Sequence, residues 1–210
     1  ASNNTAVGKD ALTANTTGTQ NVALGAYALD ANTTASYNTA IGYDSLTSSI
    51  TGNSNVAVGH NTLLADTLGD RAVAIGNNAL SSQNFTSTTD NYNIAVGYNA
   101  GLSVTTGVRN TLIGGIAGDA LTDADDNVVL GYQALSTDTL GSRTIAIGKG
   151  ALTTQNFTSA TNTYNTAMGY NAGNQVTTGI ENTLIGGLAG DAITTGDFNT
   201  ALGKGALSTN

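Results

Sequence analysis

A seventeen-residue repeat runs along the whole chain and limits what it can fold into. One glycine marks each unit, at Gly8, Gly25, Gly42, Gly59, Gly76, Gly97, Gly114, Gly131, Gly148, Gly169, Gly186 and Gly203. Nine of the eleven intervals between these glycines are seventeen residues long and two are twenty-one. Helical repeats need about thirty residues or more, so this period is too short for them. The repeat predicts one small structural unit per seventeen residues, stacked on its neighbours.

Each unit begins with a short strand pattern, as in "NTAIG" at 38–42 and "NVAVG" at 55–59. Alternate residues of a strand point to opposite faces, so the residues before and after the central Ala share one face. We expect that face to be the inside of the unit. A small residue three positions after the Gly, usually followed by Leu as in Ala11 and Leu12, predicts a second, shorter strand. The remaining Gly, Asn and Thr residues predict a return loop.

Two strands and two turns per unit predict an all-β fold, a parallel β-solenoid in which one repeat is one coil. The few bulky side chains, three Phe, one Met and no Trp, suit such a thin structure. Residues 1–210 are expected to form a single repeat domain of about twelve coils, about 56 Å long at the usual strand spacing. The coils start near residues 4, 21, 38, 55, 72, 93, 110, 127, 144, 165, 182 and 199.

The two twenty-one-residue coils carry four extra residues near Asn84 and Asn156. These insertions lie seventy-two residues apart, so four coils make a larger repeat. Asn occupies the first position of ten of the twelve coils. Identical side chains lie above one another in such a stack, which predicts a ladder of Asn hydrogen bonds along its axis.

The strand motif resembles a known family. "NTAIGYDSL", "NVAVGHNTL" and "NTALGKGAL" are similar to the head repeats of trimeric autotransporter adhesins of the YadA type, and to the repeat arrays of phage tail-fibre proteins. The resemblance covers essentially the whole chain, although the adhesin repeat is shorter than seventeen residues. It implies a left-handed coil, three chains around one axis, and work at a cell surface or on a virion.

Little in the sequence points to catalysis, so we expect no enzyme and no cofactor. The chain has no Cys and a single His, His60, which follows a repeat glycine. A nucleophile, base and orienting group would have to come from Ser and Asp alone. Asp123, Asp125 and Asn127 have the spacing that opens a calcium loop, but Val128 stands where that loop needs Gly. We therefore expect a solvated acidic loop and no metal site.

Six residues are candidates for contact with a partner. Tyr43, Tyr98, Tyr132 and Tyr170 follow repeat glycines and are expected to project from one edge of different coils, where aromatic rings can stack on sugars or anchor a protein. Packing against a neighbouring chain is an equal alternative. Phe85 and Phe157 lie in the insertions, which either contact a partner or cover the solenoid's edge.

Arg71, Arg109 and Arg143 close three coils at the position where Asp126 and Glu181 close others, which predicts ion pairs between coils or chains. The formal net charge of −8 and the scattered Lys and Arg give no basic face for nucleic acid. No apolar run is long enough to span a membrane.

Three functions are compatible with these features. The first is a non-enzymatic structural or adhesive fibre segment, from a phage fibre or a bacterial surface adhesin, that spaces or presents a host- or surface-binding element outside the cell. It would self-associate as a homotrimer and could bind a surface glycan or receptor. The alternative is an extracellular filament subunit that stacks end to end by strand addition. An ice-binding solenoid is disfavoured, because Thr-x-Thr occurs only sporadically.

Overall fold

The structure is a computed structural model and describes residues 1–208, which contain sixteen strands and no helix. The strands are β1 (Thr5–Val7), β2 (Val22–Leu24), β3 (Thr39–Ile41), β4 (Val56–Val58), β5 (Gly69–Asp70), β6 (Val73–Ile75), β7 (Thr89–Asp90), β8 (Ile94–Val96), β9 (Thr111–Ile113), β10 (Val128–Leu130), β11 (Gly141–Ser142), β12 (Ile145–Ile147), β13 (Thr161–Asn162), β14 (Thr166–Met168), β15 (Thr183–Ile185) and β16 (Thr200–Leu202).

The twelve three-residue strands form one parallel sheet in which each coil pairs with the next coil along the chain. Thr39 pairs with Val56 across a seventeen-residue step, and Val73 pairs with Ile94 across a twenty-one-residue step, so the insertions do not disturb the register. The chain is therefore a parallel β-solenoid of about twelve coils, as the repeat predicts.

The sequence-based assignment of the inner face is wrong. In β2 the central Ala23 is fully buried, whereas Val22 and Leu24 on either side are 37% and 46% exposed. The same order holds throughout the sheet from β2 to β16, with the central residue buried in every three-residue strand. In most coils the interior between the sheet and the opposite wall is filled by a buried Leu, such as Leu29, so a small residue fits on the strand side.

The predicted second strand at the Ala-Leu pair is also absent from every coil of residues 1–208. Leu29 and Leu46 adopt left-handed backbone conformations, each with φ of 53°, which a strand does not allow. Their amides still donate to the next coil, Leu29 N to Ser45 O at 3.2 Å and Leu46 N to Thr62 O at 2.9 Å. Among residues 1–208 further strands form only where a long coil stacks on the coil before it, as the two-residue pairs β5 with β7 and β11 with β13. Elsewhere the opposite wall is a stack of hydrogen-bonded turns.

The repeat glycines form a column in which only glycine fits. Gly97 has φ of 143°, and a Cβ built on it would lie 2.5 Å from the carbonyl oxygen of Gly114 in the next coil. The strand therefore ends at a turn that brings two backbones closer than any side chain permits. The position of the glycine in the repeat is set by this contact between coils.

The Asn ladder predicted from the sequence is present, with most of its bonds running from side chain to backbone. Asn38 Oδ1 accepts from Asn55 N at 2.8 Å, and Asn38 Nδ2 donates to Gly52 O at 2.8 Å. Each fully buried Asn of this ladder thus satisfies two backbone groups that would otherwise have no partner. Direct bonds between amides are added at two steps, from Asn127 to Asn110 and from Asn199 to Asn182.

Asn110→Ala is expected to lower the free energy of unfolding by about 2 to 4 kcal/mol, because it leaves the amide of Asn127 and the carbonyl of Ala124 buried without partners. Urea unfolding followed by circular dichroism measures the loss. The matched control is Asn77→Ala, which removes an exposed Asn and should change stability by less than about 0.5 kcal/mol. Equal losses in both variants would contradict a structural role for the ladder.

The insertions repair the ladder where it is interrupted. Ala72 stands where other coils have Asn, so the following coil lacks its usual acceptor. There Asn93 N donates instead to Asn91 Oδ1 of the insertion at 2.9 Å, and Asn93 Nδ2 donates to Gln83 Oε1 at 2.8 Å. Gln83 in turn donates to Asp66 Oδ2 at 2.7 Å. Burial raises the pKa of the Asp66 carboxyl, whereas the hydrogen bond from Gln83 acts in the opposite direction.

The second insertion uses the same arrangement seventy-two residues later. Thr144 replaces Asn, and Asn165 Nδ2 donates to Gln155 Oε1 at 2.8 Å. Gln155 Nε2 donates to Asp138 Oδ2 at 2.6 Å, while Asp138 Oδ1 accepts from Phe157 N at 3.0 Å. The larger repeat of four coils therefore reflects a recurring buried polar network.

Candidate binding surfaces

The outer sheet face is a regular, largely apolar surface of the described solenoid. We define it as the first and third residues of the twelve three-residue strands. Every third residue is aliphatic or Met, and the first residues are six Val or Ile and six Thr. No charged residue occurs among these twenty-four positions. The first and third strand residues form two rows, two residues apart along the strand and twelve coils long, which cover about 400 Å². Exposed apolar patches of this size on soluble proteins are often functional.

The turn edge lies beyond one end of these strands and consists of the two residues that follow each repeat glycine. The structure places all four predicted tyrosines there with exposed side chains; Tyr43, Tyr98, Tyr132 and Tyr170 are 49%, 60%, 53% and 54% exposed. Tyr43 meets neighbours along the edge, edge-on to Tyr27 at 5.7 Å between ring centroids and stacked on His60 at 5.5 Å. All three Lys residues, Lys9, Lys149 and Lys204, belong to the same edge.

Phe85 and Phe157 are not surface contacts, which corrects that prediction. Their side chains are only 5% and 7% exposed. In each insertion the Phe carbonyl accepts from a Thr hydroxyl of the preceding coil, Thr67 at 3.3 Å and Thr139 at 2.8 Å, so the loop closes against the stack. Burying an aromatic ring is favourable in a fold with so few large side chains. The insertions thus contribute packing and the polar networks described above.

A second charged and aromatic edge lies beyond the other end of the strands, at the last residue of each coil. The predicted ion pair between coils is present there, with Arg109 Nε 2.5 Å from Asp126 Oδ1. The hydrogen bond from Arg109 holds the pKa of the Asp126 carboxyl below its ordinary value. Arg71 and Arg143 lie over the rings of Tyr92 and Tyr164, at 5.7 and 5.6 Å from the centroids.

Sequence reasoning missed these two tyrosines. The signal was their position, because Tyr92 and Tyr164 end the long coils at the place where Arg ends others. When the coils are aligned without the insertions, Tyr92 and Tyr164 occupy the same column as Arg71, Arg109 and Arg143. The ion pairs of that column are exposed, so each contributes little to stability.

Within residues 1–208 no group of three His, Cys, Asp or Glu side chains could hold a metal ion. Asp125 and Asp123 accept hydrogen bonds from the preceding coil, from Val108 N at 2.8 Å and from the Thr106 hydroxyl at 2.6 Å. His60 is exposed, and its Nδ1 lies 3.3 Å from Nδ2 of Asn77. No helix able to cross a membrane occurs in this part of the chain.

Comparison with known proteins yields no match: no family model, no curated protein and no solved structure corresponds to this chain.

Proposed function

We propose that the chain is a non-enzymatic fibre segment, from a phage fibre or a bacterial surface adhesin, that works outside the cell and self-associates through its outer sheet face. The observation that carries this proposal is the uncharged apolar face that continues through all twelve coils. A face of this size gains free energy when a second apolar surface covers it. A stack of similar coils also sets length without changing local chemistry, which suits a spacer.

Copies of the same chain fit this face better than an unrelated partner does. The rows are uncharged and repeat at the strand spacing, so a second copy presents a complementary surface over the whole length. The number three comes from the resemblance to adhesin head repeats and is part of the proposal. Ice binding receives no support from the face, because no strand places Thr at both of its outward positions.

The mass in solution tests the proposal. Light scattering over a dilution series should give a trimer. Ile113→Asp combined with Leu130→Asp places carboxylates at the centre of the face and should weaken association at least about 100-fold. Since these side chains point away from the interior, the circular dichroism spectrum should be retained.

Thr158→Asp with Ser159→Asp provides the matched control, because it adds the same charge at exposed positions of an insertion. It should leave the mass unchanged. A monomeric wild-type chain would refute self-association. Particles that grow without limit as concentration rises would replace the trimer by the filament that stacks end to end.

A further inference from the structure

The turn edge carries a pattern with a period of two coils. In the sixth, eighth and tenth coils the two edge residues are a Tyr and an amide; in the coils between them, both residues come from Gly, Lys and Ile. The Tyr and amide pairs are Tyr98 with Asn99, Tyr132 with Gln133, and Tyr170 with Asn171. The intervening pairs are Gly115 with Ile116 and Lys149 with Gly150, and the eleventh coil continues the alternation with Gly187 and Leu188. An exposed aromatic ring beside an amide thus recurs every second coil.

Backbone hydrogen bonds between coils fix the spacing of these pairs. Ile116 N donates to Tyr98 O at 2.8 Å, and Gln133 N donates to Gly115 O at 3.2 Å. In these coils the second edge residue donates to the coil before it, and the carbonyl of the first edge residue accepts from the coil after it. Two coils correspond to about 9.5 Å. The three tyrosines therefore recur with this step along the stack of coils.

Gly115, which lies between Tyr98 and Tyr132 along the edge, leaves the ring of Tyr132 accessible. A Cβ built on Gly115 would lie 3.4 Å from Cδ2 of Tyr132, so the ring of Tyr132 rests beside the bare backbone of the coil before it. This contact supports one part of the ring while more than half of the side chain stays exposed. A supported ring loses little conformational freedom when a ligand stacks on it.

Charge distinguishes this stretch of edge from the rest of the molecule. The chain has a net charge of −8, yet no Asp or Glu occurs at the edge positions from Asn77 to Gly205. Lys149 and Lys204 are its only charged residues, and Lys149 Nζ lies 5.7 Å from the ring centroid of Tyr170. A polar ligand without strong negative charge is favoured, since the surrounding surface is acidic.

We propose that this edge binds a single extended chain of a neutral β-1,4-linked polysaccharide that runs along the solenoid axis. In such a ribbon every second sugar has the same orientation, with a repeat close to the two-coil step. The apolar face of a sugar would stack on each Tyr, while the amides of Asn99, Gln133 and Asn171 offer donors and acceptors for hydroxyl groups. The inference does not depend on self-association, because the turn edge and the outer sheet face share no residue.

Calorimetric titration with cello-oligosaccharides tests this inference. Cellohexaose, long enough to reach three tyrosines, should bind at least about tenfold more tightly than cellobiose, which reaches one. Maltohexaose has the same sugars in an α-1,4-linked, curved chain and should bind at least about tenfold more weakly than cellohexaose. Tyr132→Ala should weaken binding of cellohexaose about tenfold, whereas Tyr132→Phe keeps the ring and most of the affinity.

Tyr164→Ala is the matched control, since this tyrosine is equally exposed but lies on the opposite edge. It should leave the affinity unchanged. The proposal is overturned if cellohexaose and maltohexaose bind equally or not at all, or if Tyr164→Ala weakens binding as much as Tyr132→Ala does. The mass of each variant, measured in parallel, separates a lost edge contact from a changed association state.

Discussion

Gly97→Ala is expected to break the solenoid near its sixth coil and to cost more than about 3 kcal/mol of unfolding free energy. The added methyl group would lie 2.5 Å from the carbonyl oxygen of Gly114 and within 2.6 Å of its carbonyl carbon. Relief requires the two coils to separate, but Gly114 N is hydrogen-bonded to Val96 O at 2.8 Å beside the contact. Urea unfolding followed by circular dichroism should show a lower midpoint, and hydrogen exchange should locate the loss in neighbouring coils.

Two controls separate the sources of this cost. Gly203→Ala introduces a methyl group at a similar backbone angle, φ of 114°, but no atom of residues 1–208 lies within 4 Å of it. Gly115→Ala changes a residue in the middle of the stack whose Cβ would make only an ordinary contact with Tyr132. Both should be much milder than Gly97→Ala. If all three variants lose similar stability, close approach between coils does not explain the glycine column.

The coil itself could be predicted from the sequence because a strict period admits few folds. The period of two in "NTAIG" also showed correctly that Thr39 and Ile41 share a face. It could not show which face is inside, because alternation is symmetric. The inner face is set by Leu46, which fills the interior from the opposite wall. The residue type gives no indication that its backbone there is left-handed. A prediction based on hydrophobicity alone therefore put the core on the wrong face of the strand and assigned a second strand where there is a turn.

The candidate surfaces were predicted unevenly for a similar reason. Tyr132 and its equivalents follow a repeat glycine at which the chain must turn, and the sequence therefore predicted that they lie on an exposed edge. Phe157 lies in an insertion of no regular pattern, and only the network through Asp138 explains why the loop folds inward. Gly101 and Gly118 stand at the ninth position of their coils, and only the structure shows that this position faces the third, where Leu112 stands.

Leu112→Ala is expected to cost about 3 to 5 kcal/mol, which is high for a change to the commonest residue at that position. In most coils an Ala at the third position is accompanied by a Leu at the ninth. The sixth and seventh coils instead have Gly101 and Gly118 at the ninth, and Leu112 fills the space that both leave. A Cβ on these glycines would lie 2.7 and 2.9 Å from its methyl carbons. Truncation therefore opens a cavity across two coils.

A double-mutant cycle with Gly101→Ala tests this explanation by urea unfolding. Gly101→Ala alone should destabilise the fold, because its methyl group overlaps Leu112 Cδ1. Combined with Leu112→Ala, the same methyl group enters the cavity, so the two losses should sum to about 1 to 2 kcal/mol more than the double variant loses. Val129→Ala, at the third position of a coil that keeps Leu135, is the control and should cost less than Leu112→Ala. Strict additivity would mean that Leu112 and Gly101 do not share this space, and the irregular coils would then need another cause.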